Sequence, residues 1–321
     1  MSFFAILLAL VLEQARPLAT DNPIHRVVQA WTAWVARSLD AGVQHLAWVT
    51  WGMTAVLPAV LALLVHALVD WGVGWFAAVL WNVALLYVTL GFRQFSHHFT
   101  EIRDALDEGQ EQKARELLAQ WQQVQVGEIP RSEIVRHVIE FSVIAAHRHV
   151  FGVFFWYAVL SVIGLGPVGA VVYRLAEYVQ RRWQREQGTD SGVSTVLAQV
   201  ATQAWRLLDW LPARATALGF AIVGSFEDAM DGWRNHSQKF PQDNDGVILA
   251  ATAGAINVRL GGAGLGMATG SDEPDASASG SSTPGQPAQA GHLASVVGLV
   301  WRSVIMWLVL VALLTMANLM G

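Results

Sequence analysis

The chain has no cysteine, which excludes disulfides, thiolate metal sites and cysteine nucleophiles and leaves redox chemistry silent about compartment. Charge is scarce too. Asp, Glu, Lys and Arg make up 14% of the residues, against roughly 25% in soluble domains, so much of the surface must meet something other than water. Lys and Arg (20) are outnumbered by Asp and Glu (25), and the net charge of -5 leaves no face-wide basic excess to neutralise phosphates, which argues against a nucleic-acid binder. The first apolar run, 2–12, has neither a basic flank nor a small-residue cleavage site, so a removable signal peptide is not expected. It is also too short to span a bilayer and reads as a buried or interfacial helix. No internal inverted repeat is visible, which ranks a transporter last among the membrane functions.

What is present is apolar. Hydrophobic residues make up 54% of the chain and tryptophan occurs 15 times, which places the protein in a membrane. The spacing of Ile24, Val27, Val28, Trp31, Trp34, Val35 and Leu39 puts them on one side of an amphipathic helix that suits either the interface or the side of a bundle. Residues 46–69 and 73–92 are two spans joined by a tight turn at Asp70-Trp71-Gly72. His66 and Asn82 lie inside them, as functional groups or as hydrogen-bonding partners between helices.

From Arg93 the chain turns polar. Two helices are predicted with Gly109 at a C-cap between them and an apolar stripe of Phe99, Ile102, Leu106, Leu117, Leu118 and Trp121, making a water-facing hairpin. His97 and His98 invite a metal reading, since His97 and Glu101 share a helical face, but no third ligand is fixed by spacing. Pro130 starts the next helix, on which Glu133, His137, Glu140, Ile144 and His147 recur at steps of four and three and so line one face. That face is either a site for an anionic or metal-bound ligand or a solvated surface.

A third span is expected over 150–172, broken by Gly164, Gly166, Pro167 and Gly169, as is tolerated beside a cavity. A weaker fourth span, 207–226, holds Asp209, Pro212 and Arg214, and an arginine at such depth needs protein, a headgroup or a ligand to face. A polar loop follows, then a short apolar segment, VILAATAGAINVRLGG, that reads as re-entrant and ends near Arg259. The last span is 296–320. The fold class is therefore all-α: a polytopic helical membrane protein with four to five spans, a water-facing hairpin and one short or re-entrant apolar segment. Its expected parts are an N-terminal region with interfacial helices and a transmembrane hairpin (1–92), a polar helical region (93–149), a membrane core (150–260), a disordered Gly/Ser/Ala/Pro-rich linker (261–292) and a C-terminal transmembrane helix (293–321).

Several separated pieces, in order, resemble the CobD/CbiB family of cobalamin-biosynthesis membrane proteins. These are the hairpin HHFTEIRDALDEGQEQKARELL, the stretch from Glu140 to Phe154-Phe155-Trp156, GPVGAVVYRLAE, Pro212-Ala213-Arg214 with Thr216 and Ala217, and AATAGAINVRLGG. The resemblance implies ATP-dependent amide formation between adenosylcobyric acid and aminopropanol phosphate, with Mg2+ held by carboxylates. On that reading Glu140 and His137 are catalytic candidates, Glu133 and Glu140 metal candidates, and Arg214, Arg259 and His98 the groups for ligand or phosphate.

The chain also departs from the pattern it resembles. Ile144-Ala145 and Arg148-His149 stand where the family carries Glu-Asn and Asp-Gly, and Trp205 and Arg206 stand where it carries paired aspartates. Isoleucine cannot ligate Mg2+, and arginine repels it. The pattern is similar to the AmpE branch of the same superfamily, handled as sensors or modulators linked to beta-lactamase induction. The reading is thus a multi-pass protein of the bacterial inner membrane, an AmpE-like modulator that has lost acids of the synthase site. The alternative is an active synthase using ATP and Mg2+. The bilayer, a corrinoid or nucleotide ligand, or a protein partner are the expected contacts.

Overall fold

The computed structural model describes residues 2–16, 22–122, 127–188, 192–262 and 282–320. Helix dominates, and among the described residues the only extended pairing is two isolated bridges, Val258 with Gln286 and Gly261 with Ser282. The helices are α1 (Ser2–Ala15), α2 (Pro23–Leu39), α3 (Gln44–Gly72), α4 (Trp75–Thr89), α5 (Phe92–Asp107), α6 (Glu111–Gln122) and α7 (Arg131–Ala146). They continue with α8 (Gly152–Ser161), α9 (Gly166–Glu186), α10 (Thr195–Val223), α11 (Phe226–His236), α12 (Asp243–Ala255) and α13 (Ala290–Met320). Among the described residues, three helical stretches are long and apolar enough to cross a membrane: Gln44–Gly72, Arg131–Ser161 and Ala290–Ala317. Phe3–Ala15 and Trp75–Thr89 are shorter apolar helices. The protein is an all-α polytopic membrane protein.

The chain divides into two compact units, one made of residues 1–92, 148–212 and 310–321, the other of 93–147 and 213–309. In the first, Asn22 caps α2 by accepting the His25 N–H at 2.7 Å, and Pro23 fits the first helical position, where a missing N–H costs nothing. Trp31 of α2 meets α3, its indole donating to the Thr54 carbonyl at 3.3 Å, while Trp34, Ile24 and Val27 of the same face stay exposed. Ala36, Ala47, Val179, Trp183, Leu197 and Ala201, from α2, α3, α9 and α10, make a buried core. Asp40 ties this corner together by accepting from the Ser194 N–H and hydroxyl at 2.7 and 2.8 Å, while the Ser194 hydroxyl in turn accepts from Leu197 N–H at the start of α10.

The third apolar stretch differs from the expected 150–172. Its helix begins at Arg131 and reaches Ser161 through a π-helical turn at His147–Phe151. It stops because Gly164 takes a left-handed backbone (φ 78°), after which Pro167 opens α9. α8 and α9 then lie very close, since a Cβ on Gly169 would strike the Trp156 backbone and one on Gly152 would strike the Tyr173 ring.

In the second unit, α5 and α6 form the hairpin read from the sequence. Gly109 (φ 75°) closes α5 with the paired bonds Gly109 N–H to Leu106 and Gln110 N–H to Ala105. The segment expected as a polar loop, 226–245, is instead largely α11, which crosses α12 at glycines: a Cβ on Gly254 would meet the Asp228 carbonyl and one on Gly232 the Ala250 carbonyl. Beyond α12, Asn257 turns the chain in a left-handed conformation (φ 51°). Residues 257–261 then pair with 282–286, with Arg259 N–H to Gln286 and Thr283 N–H to Leu260 both at 2.8 Å. Residues 263–281 of the stretch read as a linker lie outside the described residues.

Candidate functional site

The charged face of α7 is organised by a residue that the four-and-three stripe leaves out. Arg136, 5% exposed, donates to Glu133 Oε2 one turn before it and to Glu140 Oε1 at 3.0 Å one turn after it. One guanidinium is thereby shared between two carboxylates, and this spacing on a helix brings opposite charges onto one side. His137 joins the group, with Nδ1 3.5 Å from Glu140 Oε2. Glu140 also accepts the Gly261 N–H at 2.7 Å, so the loop after α12 is fastened to the middle of α7.

The other residues of that face and the other candidates have their own surroundings. His147, fully buried, shares a 2.9 Å hydrogen bond with the Thr216 hydroxyl of α10. Arg214 donates to Asn244 Oδ1 at 3.2 Å in the first turn of α12. The Arg259 side chain is exposed on the loop. His98 stands beside Glu101 on α5, and its ring lies 5.8 Å from that of Trp121, which meets Phe141 of α7 edge-on at 4.6 Å. An aromatic chain therefore links the hairpin to the helix carrying Glu140. At the α11–α12 crossing, Asp228, Asp231, His236, Asn257 and Thr283 line a cleft of 160 Å³.

An Mg2+ ion fits this arrangement poorly. Arg136 already lies against both Glu133 and Glu140 and would repel a dication brought to the same oxygens. Among the described residues, no group of three His, Cys, Asp or Glu is placed to hold a metal.

The first unit holds a second polar cluster that the sequence reading missed. Glu177 of α9, fully buried, is paired with Arg174 one turn before it and Arg181 one turn after it. Burial alone raises the Glu177 carboxyl, but Arg181 and Arg174 outweigh it and bring the group from 4.5 down to about 2. Beside it, Tyr173 OH donates to Asp209 Oδ1 at 2.8 Å, so the acid read at the start of a fourth span is tied to α9 from within α10. Arg148 places its guanidinium carbon 5.8 Å over the Trp205 ring. Two positions read from sequence as departures, Arg148 and Trp205, are therefore in contact with each other. The signal for both clusters was an arginine or glutamate flanked by opposite charges at minus three and plus four.

Comparisons with known proteins find similarity along most of the chain. The family model described as CobD/Cbib protein matches residues 3–300. A protein called Cobalamin biosynthesis protein CobD from Stutzerimonas stutzeri is 28% identical over 267 residues, covering 81% of each chain. One of the same name from Chromobacterium violaceum is 33% identical over 180 residues, covering 56% of this chain and 55% of the relative. Another, from Mycobacterium tuberculosis, reaches 45% over 67 residues, 18% of this chain and 21% of the relative. No solved structure matches.

Proposed function

The chain belongs to the CobD/CbiB family, and from that premise we propose that it is a modulator or sensor of the AmpE type, which keeps the family's membrane scaffold without the synthase chemistry. The observation that carries this reading is the position of Arg136 between Glu133 and Glu140. An amide-forming ligase must bring ATP polyphosphate and its metal to carboxylates, and here the two acids on the candidate face are committed to an internal cation. Glu140 and His137 then act as anchors for the Gly261 loop, and Arg214, Arg259 and His98 are the groups left to meet a ligand or protein partner. The membrane in question is the bacterial inner membrane.

A second reading is favoured by the names of these relatives, each a cobalamin biosynthesis protein. In it the chain is an adenosylcobinamide-phosphate synthase, with ATP, Mg2+ and a corrinoid as its ligands. Purified protein supplied with ATP, Mg2+, aminopropanol phosphate and adenosylcobyric acid separates the two. Formation of adenosylcobinamide phosphate supports the synthase, and its absence from protein that is folded in lipid supports the modulator.

A further inference from the structure

α2 presents three different sides. Thr32, Val35 and Ala36 are buried in the first unit, whereas Val27 and Trp34 are 68% and 54% exposed and Ile24 stands with them. Gln29 and Arg37, also exposed, fall on the remaining side. The apolar exposed side does not end with the helix. Leu39, Val43, Leu46 and Val49 are exposed in turn, so apolar surface runs from α2 through the joint and onto α3, which is long and apolar enough to cross a membrane. Whatever covers that flank of α3 therefore covers this face as well.

The helix is fixed in place against α3. The Trp31 indole donates to the Thr54 carbonyl at 3.3 Å, the Thr50 hydroxyl donates to the Leu39 carbonyl at 3.1 Å, and Asp40 holds Ser194 of α10. α2 thus leans back along the first turns of α3. The 29 residues of α3 make it about 43 Å long, roughly 13 Å more than the hydrocarbon core of a bilayer. Thr54 lies about 15 Å from the start of α3, so with the excess shared between both ends Trp31 stands within about 10 Å of the hydrocarbon boundary. Indole rings collect at that depth, and amphipathic helices lie there. Trp31 and Trp34 stack with ring centroids 5.6 Å apart, which gives the face a broad aromatic plate of the kind the interface accepts.

We propose that α2 is bedded in one leaflet of the bilayer, with Ile24, Val27 and Trp34 among the lipid chains and Arg37 reaching out to the headgroups. An arginine on the edge of an apolar face can lay its stem on that face and keep its guanidinium at the polar boundary. The lipid contact holds under either reading of the function.

The test exploits the absence of cysteine, since a single introduced cysteine carries a single nitroxide label. Val27→Cys, Trp34→Cys and Gln29→Cys are prepared in the full chain in phosphatidylcholine nanodiscs. Leu64→Cys, on the exposed side of α3, and Gln112→Cys, on the exposed side of α6, serve as lipid and water benchmarks. Collision of each label with oxygen, which concentrates in lipid, is compared with collision with a water-soluble nickel chelate. The oxygen-to-nickel ratio at positions 27 and 34 should match that at 64 and exceed that at 112 on the order of tenfold, while position 29 should resemble 112. Should a labelled variant fold poorly, unlabelled Trp34→Phe decides: the tryptophan emission it loses must be quenched by brominated phosphatidylcholine and spared by iodide. Ratios at 27 and 34 equal to that at 112 would put the face in water, and low collision with both reagents would put protein over it. A lipid-like ratio at 29 would sink the helix entirely. Each of these three results overturns the proposal.

Discussion

Glu140 accepts the backbone N–H of Gly261 at 2.7 Å, across 121 positions of sequence, while its carboxylate also holds Arg136. One side chain therefore ties α7, its internal arginine and the loop after α12 into a single unit. A carboxylate with these three duties is a structural anchor before it is anything else.

Glu140→Gln keeps the shape and removes the charge, leaving Arg136 with Glu133, whose side chain is 40% exposed. Breaking a buried pair while its partner stays buried costs roughly 3 kcal/mol. Glu133→Gln, at the exposed end, should cost about 0–1 kcal/mol. Denaturant unfolding of the solubilised chain checks the order, and equal effects of the two variants would remove Glu140 from its anchoring role.

Glu177 gives a pH signature. Its carboxyl is at about 2 in the folded protein against 4.5 ordinarily. A folded value below the unfolded one adds stability that is complete above the unfolded value and is lost as pH falls through the folded one. The wild type should therefore exceed Glu177→Gln by about 3 kcal/mol at neutral pH. That gap should shrink as the pH is lowered from 4.5 towards 2. Stability curves of the two proteins between neutral and acid pH measure it, and a gap independent of pH would refute the assignment.

The close approach of α8 and α9 predicts a contrast between two glycines. Gly152→Ala places a methyl against the Tyr173 ring, whose hydroxyl holds Asp209, whereas Gly52→Ala in α3 meets open space. Overpacking of the first kind costs about 1–3 kcal/mol. The second substitution should be neutral or stabilising by up to about 1 kcal/mol through helix propensity. Thermal unfolding of both variants in the same detergent distinguishes them.

The sequence made the membrane helices legible because an apolar run of sufficient length has few alternatives, and Gly109 and Gly164 were readable as punctuation because only glycine enters the left-handed region freely. The start of the third stretch was not legible. Glu133, Arg136 and Glu140 look like a solvated face until their charges are paired with one another, and only then does the apolar helix extend back to Arg131. Residues 227–236 look like loop because their polarity hides small residues, Ala229 and Gly232, that let α11 pack tightly on α12. Among the candidate residues, Glu133, His137 and Glu140 come together as their spacing implies. Contacts such as Arg148 with Trp205 or Tyr173 with Asp209 join separate helices, and no local pattern encodes them.

The most direct test of the proposed function is turnover by the full chain reconstituted in lipid, with ATP, Mg2+, aminopropanol phosphate and adenosylcobyric acid, read as adenosylcobinamide phosphate formed. The account predicts no product above the protein-free control, together with failure to rescue a synthase-deficient strain despite membrane insertion. Product that forms with the wild type and disappears with Glu140→Gln protein that remains folded would contradict it.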